Sequence, residues 1–264
     1  MAPWLEQGRS AGFYARELLH ELKINALPID PIGIASALGL GVREQPLSSG
    51  CDGLLLCTGR VKGILVNQRV ESQTRKRFTV AHEIGHFRIH QARDFSCQPQ
   101  ALLSWDERHP EAEANEFAAE LMMPEQFFKG DAERLPSMPL LTELAESKYQ
   151  TSLTSTGIRY TKLTDEPCAV TLADVNCVRW MVRSRRFPFR SKVSKLSENS
   201  YAWDFFQGRP LLHRPELVRA DSWFADAPES EFVTEHSIGM PNLGVVFSLL
   251  TCQTQEEDDF DSER

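Results

Sequence analysis

The chain has 264 residues, of which 41% are hydrophobic, 25% charged and 9% aromatic; this is ordinary globular composition, enough for one or two domains, and it excludes wholesale disorder. Lys and Arg number 29 against 37 Asp and Glu, a formal net charge of -8, which argues against a strongly basic nucleic-acid binder. The last ten residues, QEEDDFDSER, hold six acids and one Arg, so the remainder nets only -3 and the tail reads as a solvated charge run.

The N-terminal MAPWLEQGRSAG has no apolar signal-peptide core. No apolar run reaches the ~18 residues that a membrane helix needs. Six cysteines (51, 57, 97, 168, 177 and 252) are scattered without a CxxC pair, as expected of reduced thiols in a cytoplasmic protein with no membrane partner. Phe13, Leu18, Leu19 and Leu22 give helical spacing through residues 10–24. Asp30-Pro31 then predicts a capped helix start and Gly39 its stop. Runs 53–57 and 61–67, joined by Thr58-Gly59-Arg60, predict a hairpin. Helices are predicted over 74–91 and over 110–123, the latter opening at Pro110 and ending before Pro124, with 92–109 irregular between them.

Residues 136–164 read as short helical pieces. After Asp165-Glu166-Pro167 the runs VTLADV, CVRWMV, EFVTEHSI and GVVFSLLTC are strand-like, with Pro241-Asn242 and Gly244 forming a turn. Val178, Trp180 and Val182 alternate with Arg179, Met181 and Arg183, the pattern of a half-buried strand. The fold class is therefore α+β, with a domain boundary near residue 165.

Residues 78–90, FTVAHEIGHFRIH, carry the chemistry. His82 and His86 are four apart, so on a helix they stack one turn above each other and can share one metal ion. Glu83 lies beside them, close enough to take a proton from a water that the metal acidifies. This is the HExxH arrangement of zinc peptidases, with Glu83 as general base. Phe78, Ala81, Gly85 and Ile89 share the histidine face, and Val80, Ile84 and Phe87 form a second apolar stripe. A helix apolar on most sides is buried, and two stacked histidines inside a core need a partner.

The third ligand is less direct. His90 continues the four-residue spacing, but it stands about 12 Å along the helix from His82, too far to share one zinc with bonds near ~2 Å. It reads as a packed or surface histidine. The second helix offers Glu111, Glu113, Glu116 and Glu120. Glu111 falls about 50° from the centre of the Ala114/Phe117/Leu121 stripe and Glu113 about 110°, so periodicity leans towards Glu111 without deciding.

RFTVAHEIGHFRIH followed by EAEANEFAAELMMP resembles the ImmA/IrrE family of zinc metallopeptidases, over roughly residues 10–128. The resemblance implies a zincin-like, gluzincin-type peptidase domain holding one zinc ion (or a similar divalent metal) on His82, His86 and Glu113. It also implies a helix-turn-helix-like connector over 129–164 and a GAF-like domain over 165–264, as in the branch of Deinococcus radiation-response regulators. The domain reading is thus 1–128, 129–164 and 165–264. Family members of that branch cut one site in a helix-turn-helix repressor of the DdrO type and so induce DNA-damage genes. The function expected is a site-specific endopeptidase whose partner is such a repressor. The hairpin at 54–67 could offer a strand edge to an extended substrate.

The rival reading is a non-enzymatic DNA-binding regulator with a structural zinc. Its best local signal is the run 179–195, with seven Lys and Arg and no acid, although a solvated strand face is the plainer account. Cys51, Cys57 and Cys97 read as inert thiols, and His109, His213 and His236 have no spacing that suggests a second metal.

Overall fold

The computed structural model describes residues 9–58, 61–90, 95–96 and 110–252. Two compact units are formed: one from residues 1–127 and 142–156, the other from 128–141 and 157–264. The chain therefore passes between them three times rather than once near residue 165. Cys97 and His109 lie outside the described residues.

The first unit opens with α1 (Ala11–Glu21), whose N-cap Ser10 accepts from Phe13 N–H. α2 (Pro31–Ala37) begins as the sequence indicates: Asp30 Oδ1 accepts from Ile32 N–H at 3.0 Å and Pro31 occupies the first turn. Gly39 ends it at φ +75°, a left-handed conformation suited to glycine. Next come β1 (Gly41–Gln45), β2 (Gly53–Thr58) and β3 (Val61–Asn67). β2 and β3 form the anticipated antiparallel hairpin. β1 was not legible: it pairs parallel with β3 and is largely exposed, so it carries no apolar alternation. The two-residue β4 (Phe95–Ser96) pairs with β2 at Leu54 and Leu55, completing a sheet of order β1-β3-β2-β4.

Under this sheet runs α3 (Gln73–Ile89), capped by Ser72, which accepts from Arg75 N–H. α3 packs on α4 (Pro110–Met122) and on β2 and β3, while α1 packs on α4. Residues 79–86 are all buried, as the apolar stripes on two sides required. α1 docks through Gly12 N–H, which donates to Glu116 Oε1 at 3.1 Å. Arg77 reaches back to the α2 entry, donating to the Ile29 carbonyl at 2.6 Å. Beyond Pro124 follow α5 (Glu125–Ala132), α6 (Met138–Glu143), a π-helical stretch (Leu144–Tyr149), a left-handed turn at Gln150 (φ +53°) and α7 (Leu153–Leu163).

In the second unit β5 (Cys168–Ala173), β6 (Val178–Arg183), β7 (Glu216–Arg219), β8 (Phe232–Met240) and β9 (Val245–Thr251) form an antiparallel sheet of order β6-β5-β9-β8-β7. Its core joins Ala169, Ala173, Val233, Val246 and Leu250 to Phe187, Phe189, Trp223 and Phe224 from the 184–231 excursion, which also carries α8 (Trp203–Phe206). The other face meets α7 at Gly157, where a side chain would strike Phe247 Cζ at 2.7 Å and Val170 Cγ1 at 3.3 Å. Among the described residues no helix is long and apolar enough to cross a membrane.

Candidate metal centre

α3 carries His82, Glu83 and His86 into the interior of the first unit. Their side chains are 1%, 0% and 0% exposed. Helical spacing stacks the two imidazoles with ring centroids 4.7 Å apart, edge to face. His82 Nε2 and His86 Nε2 are 3.0 Å apart, and both point at one carboxylate. That carboxylate belongs to Glu111: Oε2 is 3.2 Å from His82 Nε2 and Oε1 3.3 Å from His86 Nε2. A tetrahedral zinc with bonds of ~2.0–2.1 Å would need ligand atoms about 3.3 Å apart. The observed spacings of 3.0 to 3.3 Å suit such an ion, and two nitrogens with one carboxylate suit its chemistry.

Glu113, the residue implied by the family resemblance, is not in this group. The structure brings Glu111 to the histidines and turns Glu113 to His90, where Glu113 Oε2 lies 2.8 Å from His90 Nε2. The physical reason is helical phase. Glu111 is three and seven residues from Ala114 and Ala118, which are buried, so it points with them into the core. Glu113 is two residues further along and faces away from the metal position, its side chain 31% exposed. Glu111 also sits in the first turn of α4, where the helix dipole favours a carboxylate. The periodicity leans the same way but does not decide among the four glutamates.

Around the three donors lie groups that hold them. His82 Nδ1 is 2.9 Å from Asn115 Oδ1, and His86 Nδ1 is 3.0 Å from His90 Nδ1. Burial lowers the His90 pKa, with the Glu113 carboxylate opposing. Asn115 sits inside the quoted EAEAN motif, but nothing in its spacing distinguished it from a surface residue.

Glu83 is the exception to the pairing. Both of its oxygens are buried without a hydrogen-bond partner among the described residues. Burial first, and the Glu111 charge second, push its pKa up from 4.5 to about 8; the Leu55 backbone N–H pulls the other way, short of a well-formed hydrogen bond. Two glycines permit this packing. A Cβ on Gly53 of β2 would stand 2.3 Å from Thr79 Cγ2 and 3.0 Å from Glu83 Oε1. One on Gly85 would stand 3.2 Å from Ala114 Cα and 3.1 Å from Phe117 Cδ1. The helix bearing the histidines thus meets the α4 backbone at Gly85 and sets its Thr79 and Glu83 side chains against β2 at Gly53, which the sequence showed for Gly85 only as part of a motif and for Gly53 not at all.

Part of the basic run and one of the cysteines have partners within the structure. In the basic run, Arg179 pairs with Asp174 at 2.9 Å, Arg183 donates to the Phe189 carbonyl at 3.0 Å and Lys192 to the Val178 carbonyl at 2.8 Å. Cys51 is buried, with Sγ 3.0 Å from the Gly53 carbonyl.

Residues 35–159 match the family described as the IrrE N-terminal-like domain, Peptidase_M78. No curated protein matches the chain. A solved structure described as a Mycobacterium tuberculosis transcriptional regulator aligns with a TM-score of 0.59 at 13% identity, over 92% of this chain and 76% of its own. At that identity the likeness concerns the fold.

Proposed function

From a chain that belongs to the ImmA/IrrE family through its IrrE N-terminal-like domain, we propose a metal-dependent endopeptidase that cuts a helix-turn-helix repressor of the DdrO type. The metal, zinc by its donor set, would be held by His82, His86 and Glu111. When bound it would acidify a water and polarise the scissile carbonyl. Glu83 takes the proton and later passes it to the leaving amine. The single observation that carries this reading is the juxtaposition of three converging buried donors with a buried carboxylate lacking hydrogen-bond partners among the described residues.

Each residue's part follows from its surroundings. Glu83 keeps both oxygens available because no described neighbour occupies them, and its raised pKa suits proton transfer near neutral pH. A bound cation would draw that pKa back down. Among the described residues β4 pairs with β2 at Leu54 and Leu55, a substrate strand would extend along that same edge of β2 beyond the β4 bridge, and Leu55 is the residue whose amide faces Glu83. An extended peptide paired there would run past the donors. The five-stranded antiparallel sheet supports reading the C-terminal part as a GAF-like module; that this module regulates the peptidase, in a cytoplasmic setting, belongs to the same proposal.

The test is to incubate metal-loaded protein with candidate repressors and read the products by mass spectrometry. A single cut in wild type, absent in Glu83→Gln, is the expected result. No cut in any helix-turn-helix repressor, with unchanged metal binding, would overturn the assignment of substrate. The second reading is a DNA-binding regulator with structural zinc; the similar Mycobacterium tuberculosis protein is described as a transcriptional regulator, a description open to either reading. Structural sites usually close four protein ligands, whereas three are grouped here among the described residues. Tight binding to bulk DNA that falls steeply with salt would favour that rival.

A further inference from the structure

His90 and Glu113 have no part in the chemistry proposed above, yet they make two short polar contacts beside the donors. His86 Nδ1 lies 3.0 Å from His90 Nδ1, and His90 Nε2 lies 2.8 Å from Glu113 Oε2. Each contact needs one proton between its two atoms. A carboxylate can only accept, so His90 must donate from Nε2. A neutral imidazole carries one N–H, so His90 Nδ1 is then an acceptor. His86 must donate to it from Nδ1, which leaves the His86 Nε2 lone pair facing Glu111 and His82. With His90 neutral, these two contacts are met by the tautomer of His86 that is able to bind a metal.

We propose that Glu113 and His90 form a two-step hydrogen-bond relay that locks the tautomer and ring orientation of His86, making both of them positioning residues. This rests on the proposed metal reading. The relay parallels the simpler arrangement at His82, whose Nδ1 is held directly by Asn115 Oδ1 at 2.9 Å. Both imidazoles are then oriented from α4, which supplies the third donor Glu111, the holder of His82 at Asn115 and the base of the relay at Glu113. Glu111 and Asn115 are four apart on one helical face and Glu113 lies between them on another. Among the described residues it reaches the site through His90, one turn beyond His86 on α3. Partners of this kind typically change metal affinity by about 10–100-fold.

The experiment uses the full-length protein and zinc itself, with affinity read by competition against a chromogenic chelator. Cobalt substitution supplies an absorption spectrum that reports ligand geometry without any turnover. His90→Phe and Glu113→Ala should each weaken zinc by about 10–100-fold and shift the cobalt bands. Together they should do no more than either alone, because each breaks the same chain. Glu113→Gln keeps an acceptor and His90→Gln keeps both an acceptor and a donor, so each should recover most of the lost affinity. Glu111→Gln should be worse than any of them. Glu113 is a third exposed at its side chain, and Glu113→Gln preserves shape, so a folded variant is at hand. Wild-type affinity and spectrum in both His90→Phe and Glu113→Ala would overturn the relay while leaving the metal reading intact. Loss of zinc in Glu113→Gln with none in Glu111→Gln would also overturn it, making Glu113 a ligand. Wild type that takes up no divalent ion would overturn the metal reading itself and the relay with it.

Discussion

Among the described residues each unit buries one carboxylate completely, Glu83 in the first and Glu235 in the second, and the two are treated in opposite ways. Glu235, on β8, accepts four hydrogen bonds: from Ala202 N–H at 2.6 Å and Ser237 Oγ–H at 2.7 Å on one oxygen, from Tyr201 N–H at 3.0 Å and Trp223 Nε1–H at 2.7 Å on the other. Glu83, on α3, accepts none among the described residues. Burial raises both pKa values. At Glu235 the donors come from three separate segments, so the carboxylate ties the 201–202 and 223 stretches to the sheet. A buried polar group satisfied on every side stabilises a fold, whereas one left without partners persists because something else will use it. The difference, rather than burial or pKa alone, separates a structural acid from a candidate catalytic one.

Glu235→Leu offers the harshest test. It removes the shared acceptor of four donors, of which Ser237 keeps the Ser248 hydroxyl at 2.6 Å, and the expected loss is about 3–5 kcal/mol in a denaturant melt of the second unit. A loss below ~1 kcal/mol would show that the network is dispensable and break the contrast.

Next comes pH. In metal-stripped protein Glu83 has a folded-state pKa raised from 4.5 to about 8. A raised acid binds its proton more tightly when folded, so its contribution is fully present below about pH 4.5. It is lost progressively as the pH rises through 8. Wild type should therefore lose on the order of a few kcal/mol between those limits relative to Glu83→Gln, which has nothing to titrate. Parallel pH curves for the two proteins would remove Glu83 as a strained acid.

The kinetic counterpart is smaller in energy but the most direct. Glu83→Gln should lower the cleavage rate by at least ~10²-fold, with metal affinity kept and thermal stability unchanged or raised. Equal cleavage by mutant and wild type would leave the site without a base. Last, Gly85→Ala should destabilise by about 1–3 kcal/mol, because the obstacle at 3.2 Å is the Ala114 backbone, which cannot rotate away. It should also loosen the metal, since any retreat of α4 takes Glu111 with it. Unchanged stability would mean that the helices have slack between them.

What the sequence determined was local. Two histidines at four-residue spacing, Glu83 beside them, Asp30-Pro31 ahead of α2, and the hairpin of β2 and β3 all depend on contacts within a turn or across a tight loop, where one residue's neighbours are known from its number. The α+β class followed from the same periodicities. β1 escaped because an exposed edge strand paired in parallel leaves no alternation to read. The choice among Glu111, Glu113, Glu116 and Glu120 could not be closed from either helix alone. It depends on how α4 is rotated against α3, and that rotation is set by Gly85 lying against Ala114 and Phe117. Likewise the lack of donors around Glu83 among the described residues and the ring of donors around Glu235 are properties of what other segments bring. A sequence states which side chain carries a charge; only packing decides whether that charge meets donors, a metal or nothing.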